Sequence, residues 1–312
     1  MTEQTNTNSN PTNGVNRTLI SSLGEHIGKE VLINGWVDTA RNQGKVAFFD
    51  FRDRTGLVQG VVFGKPEVLE IAKTLRPEFV VAVQGIVKER DAGQVNEKIA
   101  NGHLELEITN IEVLTEAEGL PFELNSDLNL ETLLDNRPLT LRRERERAIF
   151  TVQHHILHAY RSFLVSQGFT EFQAPKLVGG DAEGGAEVFK VEYFKERSAS
   201  LATSPQLYKQ IMAGVYERVF AVGQTFRAEK SATTRHLSEI SMLDLEMSFV
   251  KDHTDVIELV SDLMRTITEH VATRCKAELA ALGAPAPLVP EGDFPVLTLR
   301  DAQQLIKQET GQ

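Results

Sequence analysis

Two stretches of this chain, TFRAEKSATTRHLSE and ISMLDLEMSF, place charge where a sheet core would be apolar. Read as a strand, GQTFRAE puts Thr225, Arg227 and Glu229 on one face, and Phe226 and Ala228 on the other. ISMLDLEMSF puts Asp244 and Glu246 on one face, with Leu243, Leu245, Met247 and Phe249 opposite. The loop between them carries Lys230, Arg235 and His236. Two adjacent antiparallel strands of this pattern expose Arg, Glu, Asp and Glu on one surface beneath a basic loop, which suits a ligand bearing both signs of charge. The alternative is a solvated sheet face whose ions compensate one another. A second pattern lies in VAFFDFR. Ala47, Phe49 and Phe51 share one side, while Val46, Phe48, Asp50 and Arg52 share the other. An aromatic ring beside an arginine is the combination that stacks on and pairs with unstacked bases. This strand by itself fits more simply a Phe beneath a loop and an Arg–Asp surface pair. Neither G-x-x-x-x-G-K-[ST] nor G-x-G-x-x-G occurs, so the usual nucleotide loops are excluded.

These residues need elements to hold them, and 312 residues supply about two domains. A net charge of −11 excludes a general polyanion binder, so any nucleic-acid contact must come from a local patch. The single Cys275 excludes an internal disulfide framework and a cysteine zinc cage. No apolar run reaches the ~18 residues of a membrane span, and residues 1–16 lack the basic and apolar regions of a signal peptide, so a soluble, cytoplasmic protein is expected. Residues 1–16 are polar and rich in Asn and Thr, which predicts a disordered tail. Five β-rich runs follow at 31–41, 45–53, 56–63, 78–90 and 103–114, with a short helical stretch at 66–75 after the third. That order predicts a closed Greek-key barrel of the OB type over 17–116; an SH3-like barrel, the competitor, lacks the helix.

Residues 117–140 contain Pro121 and Pro138 and no sustained period, and read as a hinge. Beyond them the spacing predicts a helix over 141–168 stopped by Gly168, strands near 169–177 and 187–194, and a helix with Ser204 as N-cap and Pro205 first. Strands at 216–229 and 239–250 and a long helix from Thr254 to about Leu282 come next, then a strand and helix in FPVLTLRDAQQLIKQ. Strands in succession with helices to one side predict an α+β domain with an antiparallel sheet over 141–312.

On four separated motifs in the family's order, the chain from about residue 17 onward resembles the class II aminoacyl-tRNA synthetases, specifically the aspartyl group. GFTEFQAPKL resembles the first motif of that class, FRAE with RHLSEISMLDLEM the second. SPQLYKQ and GGDAEGG resemble segments that set the aspartyl enzymes apart, and VAFFDFRDRTGLVQ resembles their anticodon-binding barrel.

The resemblance implies an ATP-dependent ligase that joins L-aspartate to tRNA(Asp), and in some members also to tRNA(Asn), through an aspartyl-adenylate, with Mg²⁺. It implies that Arg227 holds the α-phosphate and is catalytic, with Glu229, Arg235 and His236 completing the ATP site. Lys209 and Gln206 would meet the side-chain carboxylate of aspartate, and Asp244 and Glu183 its ammonium. Arg41, Phe48 and Gln59 would face the anticodon, with Asn42 and Gln43 beside them, and Pro175 would lie at the interface of a homodimer. No general base is required, because the nucleophile is already an anion.

Two departures stand out. Thr203 occupies the position where the family usually has glutamine. The Gly-rich third motif, whose arginine grips the γ-phosphate, is not found, so the sequence reads as a C-terminally truncated chain and predicts a poor catalyst. A non-catalytic tRNA-binding relative is the alternative, disfavoured by the intact Arg227, Glu229, Gln206 and Lys209. An asparagine-forming relative is disfavoured by the barrel.

Overall fold

The computed structural model describes residues 16–97, 99, 101–124, 126–180, 187–231, 233 and 236–311, and the chain divides into two compact units at Glu123/Leu124. The expected tail falls almost wholly outside the described residues.

The first unit opens with a 3₁₀ helix, Ile20–His26, and continues as β1 (Glu30–Asn42), β2 (Val46–Asp53), β3 (Gly56–Phe63), α1 (Pro66–Thr74), β4 (Val80–Glu89) and β5 (Leu104–Thr115). The strands close into a barrel in the order β1-β2-β3-β5-β4, with α1 between the third and fourth, which is the OB arrangement. Alternation builds its core: Ala47, Phe49 and Phe51 point inward with Ile33, Val37, Val58, Val62, Leu106 and Ile108. Gly60 is required there. A Cβ at that position would sit 2.6 Å from the ring of Phe51 and 2.9 Å from Ile108 Cδ1, so the large ring on β2 is accommodated by a bare backbone on β3.

In the second unit the segment read as a hinge carries two short helices, α2 (Leu130–Asp135), capped by Asn129, and α3 (Arg137–Thr140). They are too short to leave a periodic signal. There follow α4 (Glu144–Ser166), β6 (Thr170–Glu171), β7 (Leu177–Val178), β8 (Lys190–Tyr193), β9 (Arg197–Leu201), α5 (Gln206–Tyr216), β10 (Arg218–Phe226) and β11 (Glu239–Met247). The chain continues through α6 (His253–Arg274), α7 (Lys276–Leu282) and α8 (Leu299–Thr310). The central sheet runs β11-β10-β6, antiparallel between β10 and β11 and parallel between β10 and β6; β7, β9 and β8 form a second sheet.

Helices lie on both faces of the central sheet, not on one. Phe220, Val222, Leu245 and Met247 pack against Tyr160, Phe163 and Leu164 of α4 and Leu259, Leu263 and Ile267 of α6. On the other face Val219 and Ala221 pack with Met212 and Ala213 of α5.

Other differences from the sequence reading have local causes. The single strand expected near 169–177 is split into β6 and β7 around Pro175, which has no N–H to give to a ladder. The hairpin partner β9 was not foreseen: its turn uses Lys195 and Glu196 at φ +58° and +57°, where a glycine or asparagine would have signalled a turn. α5 occupies Tyr216, so β10 starts two residues later than expected, and it ends at Phe226. β11 ends at Met247; Phe249 has φ +56° and is exposed, and so does not belong to the apolar face. The long helix breaks at Cys275, and among the described residues 294–298 form no strand.

Candidate functional site

Charged chemistry gathers on the α5 face of the central sheet. Strand register puts Glu246 opposite Val219, Asp244 opposite Ala221, Met242 opposite Gly223 and Ile240 opposite Thr225. α5 lies over one end of this row. Ser204 accepts a hydrogen bond from Gln206 N at 2.9 Å, the capping expected of it, with the helix starting one residue later than read. The inner side of α5 carries Gln206, Lys209, Met212 and Ala213; its outer side exposes Leu207, Ile211 and Val215.

Lys209 Nζ is 2.6 Å from Asp244 Oδ1 and 3.3 Å from Glu246 Oε2, with only 12% of its side chain exposed. Burial opposes its charge, but the hydrogen bonds and proximity of Asp244 and Glu246 outweigh burial and raise the ammonium above its usual 10.5. Tyr160 fixes the strand from beneath by donating to the carbonyl of Asp244 at 3.0 Å. Two carboxylates and one ammonium on a half-buried sheet face form an ion set able to exchange partners with a zwitterion. Its third member, Glu246, was not among the expected site residues, although its alternation with Asp244 was on view in the sequence.

Further along the same face Gly223 leaves the sheet bare. A Cβ there would meet Lys176 Nζ at 2.9 Å, so a second cation lies over the middle of the row. Burial lowers the Lys176 ammonium from its ordinary value. Nothing in the sequence marked Lys176, since only the fold brings it to β10.

The far end of the row is the mouth of the β10–β11 hairpin. Arg227 follows β10 directly, half-buried, and its N–H donates to Ser238 O at 3.0 Å, extending the ladder by one bond. From Ala221 to Arg227 is six residues, roughly 20 Å at strand rise. The face therefore offers one cation and two anions at one end, Lys176 over a side-chain-free stretch of sheet at the centre, and a guanidinium at the other. Glu229 and Lys230 are exposed beyond Arg227, and Lys230 pairs with Glu187 at 2.6 Å. His236 is exposed and tied to Thr233, its Nδ1 being 2.6 Å from the hydroxyl. Arg235 and Glu183 lie outside the described residues. A groove of about 320 Å³ flanks the outer side of α5, lined by Val178, Gly179, Thr203, Leu207, Tyr208 and Ile211. It is mostly apolar and does not include Lys209. Pro175 is exposed between β6 and β7.

The first unit presents a separate candidate surface on the outer face of its barrel. Register sets Arg41 opposite Phe48, Thr39 opposite Asp50, and Asp50 opposite Gln59. Arg41 Nη2 is 3.1 Å from Asp50 Oδ2, and Thr39 donates to the same oxygen. Phe48 is half-buried while its neighbours Ala47 and Phe49 are core, so the face division read from the sequence holds. Arg52 departs from it. The residue is 8% exposed, pairs with Glu78, lies 3.3 Å from Asp38 and sits over the Trp36 ring at 5.3 Å. Its guanidinium is committed to the barrel, leaving Arg41 as the arginine beside Phe48. A bulge between Val37 and Thr39 lets Asp38 and Thr39 face the same side.

Both units have counterparts among known proteins. Residues 129–310 match the family model of class II tRNA synthetases (D, K and N), and residues 31–114 match an OB-fold nucleic-acid-binding domain. An aspartate–tRNA(Asp/Asn) ligase of Deinococcus radiodurans is 41% identical over 304 residues, covering 96% of this chain and 66% of its own length. One of the same name from Thermus thermophilus is 40% identical over 299 residues, covering 95% and 67%. Asparaginyl-tRNA synthetase from Pyrococcus horikoshii, solved with asparaginyl-adenylate, superposes with a TM-score of 0.84 at 32% identity, over 94% of this chain and 67% of that one. The chain thus spans about two thirds of the length of these relatives. With an OB barrel followed by a mixed sheet, and a family match over more than half of its length, the chain belongs to the class II tRNA synthetases of the D, K and N group.

Proposed function

We propose that this protein acts in the ATP-dependent attachment of L-aspartate to tRNA(Asp) in the cytoplasm, and to tRNA(Asn) as well, through an aspartyl-adenylate. The observation that carries this reading is the half-buried ion set at Lys209. A pocket for aspartate must offer a cation to the side-chain carboxylate and an anion to the ammonium. Lys209 and Asp244 present that pair 2.6 Å apart on the sheet face, with Glu246 beside them. The ligand's carboxylate takes over Lys209, its ammonium takes over Asp244, and Gln206 lies one turn before Lys209 on the same side of α5. Glu183 is assigned to the same ammonium.

Arg227 at the hairpin mouth offers a planar fork to the α-phosphate. The α-carboxylate attacks that phosphorus; an O–P bond forms as the bond to the β-phosphate oxygen breaks and pyrophosphate leaves. Arg227 stabilises the charge that builds up on the phosphate oxygens. Glu229, Arg235 and His236 hold the rest of the nucleotide. Mg²⁺ would neutralise phosphate charge. The ion would be held mainly by phosphate oxygens, with the exposed Glu229 available to it. On the barrel, Arg41, Phe48 and Gln59 meet the anticodon, and the exposed Pro175 segment pairs with a second copy in a homodimer. Among the described residues no helix is long and apolar enough to cross a membrane.

The test is calorimetric titration with the sulfamoyl analogues of aspartyl- and asparaginyl-adenylate, alongside tRNA(Asp) and tRNA(Asn) binding in a filter assay. The aspartyl analogue should bind at least about tenfold tighter, a margin of ~1.4 kcal/mol. Equal affinities, or the reverse order, would overturn the substrate reading. Binding of tRNA(Asp) alone would remove tRNA(Asn) from it, and binding of tRNA(Asn) alone would overturn it.

A further inference from the structure

Among the described residues Lys176 pairs with no carboxylate, and burial alone acts on its ammonium, holding it below the ordinary 10.5. The residue follows Pro175 and leads into β7, half-buried. Two backbone hydrogen bonds pin it to the central sheet. Ala202 N donates to the carbonyl of Lys176 at 2.9 Å, and the carbonyl of Ala202 accepts from Phe226 N, at the end of β10, at 2.9 Å. From that anchor the side chain reaches over β10, its Nζ 2.9 Å from where a Cβ of Gly223 would stand. The bare backbone of Gly223 is what lets the ammonium rest there.

This position lies between the two ends of the charged row. Gly223 is two residues from Ala221, the partner of Asp244, and four from Arg227. At strand rise those steps are about 7 Å and about 13 Å. Extended aspartate sets its two carboxyl carbons about 4 Å apart at ~1.5 Å per C–C bond, and the oxygens with their hydrogen bonds lengthen that reach at both ends. One aspartate therefore spans from Lys209 to an ammonium a single such step along the face. Charge gives the second argument. Asp244 and Glu246 against Lys209 leave one negative charge in excess. Aspartate at neutral pH carries one in excess as well, so that set alone repels it, and Lys176 supplies the missing cation.

Resting on the substrate reading above, we propose that Lys176 is a further substrate-binding residue, whose ammonium takes the α-carboxylate of aspartate while Lys209 takes the side-chain carboxylate. The α-carboxylate is the nucleophile. Held over Gly223 it faces the Arg227 end of the row, where the phosphate would lie, and the ammonium beside it weakens the repulsion between the two approaching anions. Once the O–P bond has formed the carboxyl group is no longer an anion, the charge having left with pyrophosphate. Lys176 therefore acts on the bound amino acid, orienting and shielding it, more than on the product.

The experiment titrates the chain by calorimetry with L-aspartate, L-asparagine and L-isoasparagine, in which an amide replaces the α-carboxylate. The parent should bind aspartate at least about tenfold more tightly than isoasparagine, the usual worth of one hydrogen bond between charged groups. In Lys176→Met, which keeps the stem, that ratio should fall to within threefold of one, while the preference for aspartate over asparagine stays that of the parent. Lys209→Met should do the reverse. Lys176→Gln serves as the second variant should Lys176→Met fail to fold. A folded variant at Lys176 that keeps the parent's aspartate-to-isoasparagine ratio would overturn the role of Lys176 and leave the substrate reading standing. Loss of ATP affinity with that ratio kept would give the ammonium to the nucleotide and overturn it equally. A parent chain that binds none of the three amino acids would overturn both.

Discussion

Replacing Lys209 by methionine removes the ammonium and keeps the stem that packs beneath α5. Asp244 and Glu246 then face each other without a cation, their side chains 16% and 30% exposed. Breaking a buried ion pair costs about 3–5 kcal/mol. Glu246 reaches solvent in part, which places this case at the low end, about 3 kcal/mol off the second unit. The same loss falls on an aspartyl ligand whose carboxylate would have met Lys209. At ~1.4 kcal/mol per tenfold, the aspartyl-adenylate analogue should bind about 100-fold more weakly, with ATP alone little affected. Urea unfolding followed by circular dichroism gives the first quantity and calorimetry the second, at a temperature where the variant is folded. Analogue affinity within threefold of the parent in a folded Lys209→Met protein would refute the assignment of Lys209 to the substrate carboxylate, whatever the stability change.

The remaining predictions concern the same ion set and the barrel. Since the folded-state pKa of Lys209 lies above its ordinary 10.5, its contribution to stability is full below pH 10.5 and is lost as pH rises through the raised value; that component of the alkaline loss of stability should be missing in Lys209→Met. Phe48→Ala should weaken binding of an anticodon stem-loop by about 1–3 kcal/mol, the usual value of one base stack, and leave barrel melting nearly unchanged; collapse of the barrel would mean the ring is core. Arg52→Ala should do the reverse. It should strip about 3 kcal/mol from the barrel by leaving Glu78, 2% exposed, without its guanidinium, while stem-loop affinity of the folded protein stays within threefold.

The barrel was legible because its signals are local. β3 and the first half of β5 alternate, Pro66 starts the helix, and Ala47, Phe49 and Phe51 take the core in strict period two. Lys209, Asp244 and Arg227 were legible as motif residues, but their pairing was not, since 35 residues separate Lys209 from Asp244 and only the β10–β11 register sets them face to face. Lys176 left no trace because nothing near it in the chain explains why it lies over Gly223. The hairpin at Lys195–Glu196 was hidden for the opposite reason: its turn residues are ones that seldom take positive φ. Arg52 was misjudged because alternation gives a face but not exposure, and an outward residue can still be covered by Trp36 and Glu78.

The bulge in β1 has a bearing on how this barrel tolerates changes in length. Loss of a single residue from most of β1 would invert the facing of everything on one side of the gap, turning Arg41 inward or Val31 and Ile33 outward. The bulge is the exception. With Val37 facing in and both Asp38 and Thr39 facing out, deletion of Asp38 restores plain alternation and leaves Thr39 opposite Asp50 and Arg41 opposite Phe48. What is lost is one carboxylate beside Arg52. Deletions within β1 should therefore be survivable at the bulge, where removing either Asp38 or Thr39 leaves plain alternation, and ruinous a few residues to either side, so that a deletion scan across residues 31–42 gives one permissive window at 38–39 in an otherwise intolerant strand.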